Sequence, residues 1–166
     1  MKKHWHKIPN IFHEFPNYNC FVCAPHHDYG FRLEFFHDTQ ENCVVSPLNQ
    51  VKKDFNGFPG ILHGGFQAML LDEIMFWAVY QLEKKMTVSA DLQVKYEKAV
   101  QTESSYLIKG RLLKSSTRIF KTEGTIEDES GNILCRAAGT YIIPRKEVFQ
   151  QALGVSELPE KFLKLL

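Results

Sequence analysis

Between Phe66 and Leu82 only Gln67, Asp72, Glu73 and Gln81 are polar, and no glycine or proline interrupts the chain from Phe66 to Glu83. A helix that is apolar on nearly every face is stable only when enclosed by protein or lipid. Asp72 and Glu73 break the run too early for a membrane span, which needs about 20 predominantly apolar residues. The stretch therefore predicts a buried central helix of roughly 30 Å. A Pro59-Gly60 turn leads into it, and His63-Gly64-Gly65 stands at its start.

Two features of this helix carry chemistry. Gly64 and Gly65 have no side chains, so a ligand can approach the unpaired N–H groups of the first turn. Together with the positive end of the helix dipole, those groups favour an anion or a developing oxyanion. Asp72 lies nine positions after His63 in a mostly apolar setting. A carboxylate there is costly unless it is paired, hydrated or in use. The alternative is that the glycines only permit tight packing and Asp72 caps or pairs with a neighbour.

A chain of 166 residues is long enough for one substantial core. Its net charge of +1 gives no reason to expect a nucleic-acid or membrane partner. The start, MKKHWHKIPN, is basic but lacks the apolar region of a secretory signal. Cys20, Cys23, Cys43 and Cys135 are too sparse for a disulfide scaffold and fit reduced thiols in a cytoplasm. Cys20-x-x-Cys23 followed by His26 and His27 has zinc-ligand residue types. The second Cys or His pair of a strong zinc signature is missing, so no metal is expected.

In order, residues 1–19 read as an extended or short helical arm, 20–143 as the core and 144–166 as a short helical tail of a single domain. Phe31-Arg-Leu-Glu-Phe alternates and should open the first strand, with Gly30 as the turn before it. Cys43–Leu48 reads as the second. After the helix the period changes. Val88, Ala90, Leu92, Val94 and Tyr96 alternate with polar residues, the mark of a half-buried antiparallel strand. Tyr106–Leu113, Ile119–Glu127 and Ile133–Ile143 follow, with turns at Lys114–Thr117 and Glu129–Asn132. One sheet on one helix leaves the far side of the helix bare, and dimerisation is the economical way to cover it.

This α+β layout resembles the hotdog fold, an antiparallel sheet wrapped around a long central helix. The motif is similar to that of acyl-CoA thioesterases of the phenylacetate-pathway type. Those enzymes carry His-Gly-Gly at the helix start and an acidic residue nine positions on, matched by His63-Gly64-Gly65 and Asp72. A subgroup also bears Cys-Phe-x-Cys-Gly followed by Asn-Pro-x-Gly-Leu. Cys20, Phe21, Cys23 and Gly30 fit, while Ala24 stands for the glycine and His27-Asp28 for Asn-Pro. The resemblance covers roughly residues 20 to 143.

The resemblance implies hydrolysis of an acyl-CoA thioester with no cofactor beyond the coenzyme A of the substrate. The Gly64 N–H, with Gly65, would polarise the thioester carbonyl, and His63 would fix the turn. Asp72 would act as general base or as nucleophile, facing the His63-Gly64 turn of a second chain in a homodimer or dimer of dimers. Asn56 and Ser89 are the nearest counterparts of residues that orient water or thioester, with Asp91 on the face of Ser89. A solvated sheet face is the equal alternative for both strand residues. Ser116, Thr117 and Arg118 form a donor-rich turn suited to the CoA phosphates, or an ordinary charged loop. Met69, Phe76 and Phe58 are expected along an acyl slot, with a core role as the alternative for Phe76 and Trp77. Glu73 lies about 100° around the helix from Asp72, so only one of them can face the reacting carbonyl. The rival function is a non-catalytic acyl-CoA or fatty-acyl binding protein. The carrier is CoA or an acyl carrier protein. A hydratase would need a dyad with no counterpart here, and a zinc-dependent interaction module on Cys20, Cys23, His26 and His27 is the outside case.

Overall fold

The apolar run folds as one helix, and the computed structural model describes it together with the rest of residues 2–15 and 17–166. Strand β1 (Trp5–Lys7) and a 3-10 turn (Ile11–Glu14) come first, then β2 (Phe36–Asp38) and β3 (Cys43–Leu48). A small hairpin, β4 (Asn56–Phe58) and β5 (Ile61–Leu62), leads to helix α1 (Gly64–Glu83). Four long strands follow: β6 (Val88–Tyr96), β7 (Tyr106–Ser115), β8 (Ile119–Glu127) and β9 (Ile133–Ile142). Helices α2 (Lys146–Leu153) and α3 (Glu160–Leu163) end the chain. Among the described residues, no helix is long and apolar enough to cross a membrane.

Seven strands form one antiparallel sheet in the order β1-β2-β3-β7-β8-β9-β6. Helix α1 lies across one face and buries Gln67, Leu70, Leu71, Ile74, Met75 and Ala78, a stripe at the spacing of one helical face. The sheet makes room with a row of small residues. Gly110 of β7 pairs with Gly124 of β8, which pairs with Ala137 of β9. A Cβ on Gly110 would fall 2.5 Å from the carbonyl oxygen of Ile74. Backbone cannot yield there without moving the helix. Gly110→Ala is therefore expected to destabilise the protein by about 1–3 kcal/mol, read as a lower denaturation midpoint. An unchanged midpoint would mean that helix and strand do not approach so closely.

The strand expected at Phe31–Phe35 begins only at Phe36. Arg32 adopts a left-handed conformation, φ 55°, which breaks the pleat. The backbone on either side turns to the cysteine loop: Phe31 N–H bonds to the Phe21 carbonyl and Leu33 N–H to that of Val22.

The far side of α1 is also not left bare. The chain's own N-terminal half covers it with aromatic rings. Phe35 stacks on Trp77 at 4.8 Å, and Phe12 meets Trp77 and Phe76 at 5.9 and 5.8 Å. Nearer the helix start, Phe21 and Phe55 pack on Phe66 at 5.8 and 4.9 Å. Each buried ring contributes roughly 1.5–3 kcal/mol, enough in sum to hold a segment with little regular structure. Dimerisation is thus not needed to cover the helix. Among the described residues β6 is, like β1, an edge strand of the sheet, and only its Leu92 and Val94 are even partly buried.

Candidate active site

His63 caps α1 by accepting the Gly65 N–H on Nδ1 at 2.9 Å, so the ring carries its proton on Nε2 when neutral. Its carbonyl takes the N–H groups of Phe66 and Gln67. Of the first-turn donors this leaves the Gly64 N–H without an acceptor among the described residues. Of the two glycines expected as donors, Gly64 keeps its N–H free among the described residues, while that of Gly65 is engaged by the cap. The Tyr96 hydroxyl, from the far end of β6, donates to the Gly64 carbonyl at 3.0 Å. A cleft of about 420 Å³ opens here between Phe58, His63, Gly64, Gln67, Tyr96 and Lys98. Asn56 stands on the adjoining hairpin, its side-chain oxygen accepting from Thr102 at 2.9 Å.

Gln67 had no assigned role in the sequence, although it stood out as a polar residue in an apolar run. Its Nε2 donates to the Leu62 carbonyl at 2.9 Å, while its buried Oε1 has no partner among the described residues.

Asp72 turns toward the sheet. The Tyr141 hydroxyl lies 2.7 Å from its Oδ1 and 2.8 Å from its carbonyl oxygen. Burial, reinforced by the Asp72 charge, pushes the Tyr141 phenol up from its ordinary range. It therefore remains a hydrogen-bond donor that orients the carboxylate. Alternation along β9 places Tyr141 on the helix face, but no local signal marks a partner 69 residues away.

Ser89 reaches the same neighbourhood by an irregularity. Ser89 pairs with Tyr141 and Asp91 with Thr140, so Ala90 is an extra residue in β6. Residues directly opposite share a face of the sheet, and a bulge reverses the faces on one side of it. Ser89 thus joins Tyr141, Leu92, Val94 and Tyr96 on the helix face. Asp91 points to the opposite face, so the expected Ser89–Asp91 pairing on one face does not hold. The alternation read from Val88 to Tyr96 is also broken, with Val88 turned outward beside Ile142.

Ser116, Thr117 and Arg118 are exposed in the β7–β8 turn, which begins two residues past the expected start. Ser116 closes it by bonding Ile119, and Arg118 donates to the Ile143 carbonyl at 3.0 Å. The turn lies beyond the Ser89–Tyr141–Phe120 row, at the Asp72 end of the sheet. Met69 is half-buried against the core. Phe76 packs on Phe12 and Tyr80, in the aromatic layer rather than beside the His63 cleft.

Glu73 faces away from Asp72, toward the cysteine loop. Cys20 Sγ lies 3.6 Å from its Oε2, and Trp77 Nε1 donates to its Oε1 at 2.9 Å. The residue is half-buried, yet protein atoms enclose its carboxyl, and burial pushes that group up to about 8. Hydrogen bonding from the Cys23 thiol brings Cys20 down to about 6.

One helix within an antiparallel sheet, with a glycine turn at its start and a carboxylate at mid-length, defines a hotdog fold. The chain matches the family model of the thioesterase superfamily over residues 59–135. That segment, from the hairpin through the helix and into β9, is similar to the thioesterase superfamily. No curated protein matches the sequence. Among solved structures, a thioesterase superfamily protein superposes with a TM-score of 0.69 at 21% identity, over 75% of this chain. The present chain spans 63% of that protein's length. A hypothetical thioesterase from Streptococcus pneumoniae TIGR4, solved with coenzyme A, is 24% identical over 61% of this chain and 78% of its own, TM-score 0.57. A Streptococcus mutans UA159 protein bound to acetyl CoA is 22% identical over 61% of this chain and 81% of its own, TM-score 0.56.

Proposed function

We propose that the protein is an acyl-CoA thioesterase acting as a homodimer, or a dimer of dimers, in the cytoplasm. The observation that carries this reading is the placement of the two reactive groups along β6. Gly64 and Asp72 are eight residues apart on one helix, about 12 Å along its axis. No single thioester carbonyl can meet both groups of one chain within hydrogen-bond reach. Strand β6 has the Gly64 turn at its Tyr96 end and Asp72 at its Ser89 end. Its outer edge is unpaired among the described residues. Antiparallel pairing of β6 with a second copy extends the sheet. It also brings the Asp72 end of one chain beside the Gly64 end of the other, forming two sites per dimer.

In each site the Gly64 N–H holds the carbonyl oxygen of the thioester as negative charge develops on it. Asp72, oriented by Tyr141, takes a proton from water as the water oxygen bonds to the carbonyl carbon. Collapse of the tetrahedral intermediate breaks the C–S bond and releases the free acid and the CoA thiol, which receives the proton. Direct attack by Asp72 through a mixed anhydride reaches the same products. Coenzyme A or acetyl CoA in the two streptococcal structures supports the choice of substrate class. Four cysteines standing as free thiols fit a reducing compartment.

The test is thiol release over a panel of acyl-CoAs. Turnover of at least one member is expected, and tight binding without turnover would select a binding protein instead. Arg118→Ala is expected to raise KM for CoA thioesters roughly tenfold, the size of one charge-assisted phosphate contact. A short thioester lacking the nucleotide should be unaffected. Equal loss on both would remove Arg118 from the phosphate site.

A further inference from the structure

We propose that Cys20, Cys23 and Glu73 form a zinc site that ties the N-terminal loop to the central helix. The three side chains each offer one donor atom, and those atoms lie within 4.8 Å of one another. The Cys20 Sγ–Glu73 Oε2 separation is 3.6 Å. Tetrahedral zinc, with Zn–S of about 2.3 Å and Zn–O of about 2.1 Å, sets sulfur and oxygen about 3.6 Å apart. The Cys20–Glu73 edge of the site therefore already has the length that zinc requires.

The surroundings are those of a metal centre as well. The Ala24 N–H bonds to the Cys20 carbonyl, which closes the turn and holds both cysteines on one loop. Bonds from Phe31 and Leu33 to Phe21 and Val22 pin that loop from behind. Glu73 is oriented by Trp77 Nε1 on its other oxygen. The Tyr18 hydroxyl lies 2.6 Å from Cys23 Sγ and is itself held by Asn10 Nδ2 at 3.0 Å. Outer contacts of this kind fix ligand geometry in metal sites. Among the described residues the partners of the enclosed Glu73 carboxyl are thiols and an indole N–H, with no cation among them. A divalent ion brings the charge of two thiolates and a carboxylate from −3 down to −1, which lowers the cost of enclosing them. Thiolate donors select zinc over magnesium or calcium. Binding releases to solvent whatever protons the three ligand groups still carry, and a water takes the fourth position. Cys20, which is partly exposed, marks the entry side.

This ligand set differs from the one the sequence brought to mind. His27 Nδ1 accepts the N–H groups of Tyr29 and Gly30 at 3.2 and 3.0 Å, and His26 is exposed. Their place is taken by a glutamate 50 residues beyond Cys23, one position from Asp72 on the neighbouring face of α1.

The full-length protein, stripped by a chelator under reducing conditions, is given excess zinc chloride and desalted, and bound metal is measured by mass spectrometry. About one zinc per chain is expected, with at least tenfold weaker retention in Cys20→Ser and in Glu73→Gln. The His26→Ala/His27→Ala double variant should retain zinc as the wild type does. Cobalt(II) on the wild type should show thiolate charge-transfer and tetrahedral d–d bands, a readout that needs no variant to fold. Failure to retain zinc, with no cobalt bands, would overturn the site. So would retention unchanged in Cys20→Ser and Glu73→Gln. Loss of two of the four thiols to mild oxidant in a protein that binds no zinc would make the pair a redox dithiol instead.

Discussion

Asp72→Asn is expected to fold as the wild type does and to lose a factor of roughly 10²–10⁴ in turnover, the usual contribution of a positioned base. The amide keeps the shape of the carboxylate and still accepts from the Tyr141 hydroxyl, now 2.7 Å from Oδ1. It cannot take a proton from water or attack a carbonyl. Substrate affinity should change little, so the loss should fall on kcat. Tyr141→Phe provides the contrast. It removes one hydrogen bond from a carboxylate that remains present, and a factor of about ten or less is expected. Wild-type turnover in Asp72→Asn, measured by thiol release, would remove Asp72 from the chemistry.

Gly64→Pro should abolish a different element, the oxyanion donor, with a loss of roughly 10²–10³ in kcat. Proline suits this position, because the first helical residue needs no N–H for the helix itself. The preceding His63 already has φ −55° and ψ 135°, in the extended region that a residue before proline adopts. A Cβ at position 64 would lie 3.3 Å from the Tyr96 ring, so Gly64→Ala is the control: the same crowding with the N–H retained. Ala close to wild type and Pro inactive is the expected pair of results. Equal activities would mean that the donor lies elsewhere.

The two inactive proteins also test the shared site. Mixed and allowed to exchange subunits, Asp72→Asn and Gly64→Pro should recover roughly one quarter of wild-type activity. Random exchange makes about half of the dimers mixed, and one of the two sites in each is then intact. No recovery, with exchange verified by mass, would place both groups in one chain.

Much of this architecture was legible in the sequence because it rests on local patterns. The apolar run after His63-Gly64-Gly65 could be nothing but an enclosed helix, and it runs from Gly64 to Glu83. Cys43–Leu48 and Ile119–Glu127 appear with the bounds their residues imply. The free N–H at the helix start follows from the lack of a preceding turn, and Asp72 stood out as a carboxylate among apolar neighbours.

Other features required the folded chain. The aromatic residues that cover α1 are scattered from Phe12 to Phe55, in a segment without a period of its own. Ser89 reached the helix face through one extra residue at Ala90, which reverses every side chain before it and leaves no trace in composition. Tyr141 beside Asp72, and Glu73 between Cys20 and Cys23, are meetings across 69 and about 50 residues. A side-chain period is set by the nearest three or four neighbours, so the sequence alone determined the elements and which of their faces is apolar. Which polar groups meet depends on how closely those elements dock and in what register. That was decided by packing, down to the missing Cβ of Gly110 that lets the helix rest on the sheet.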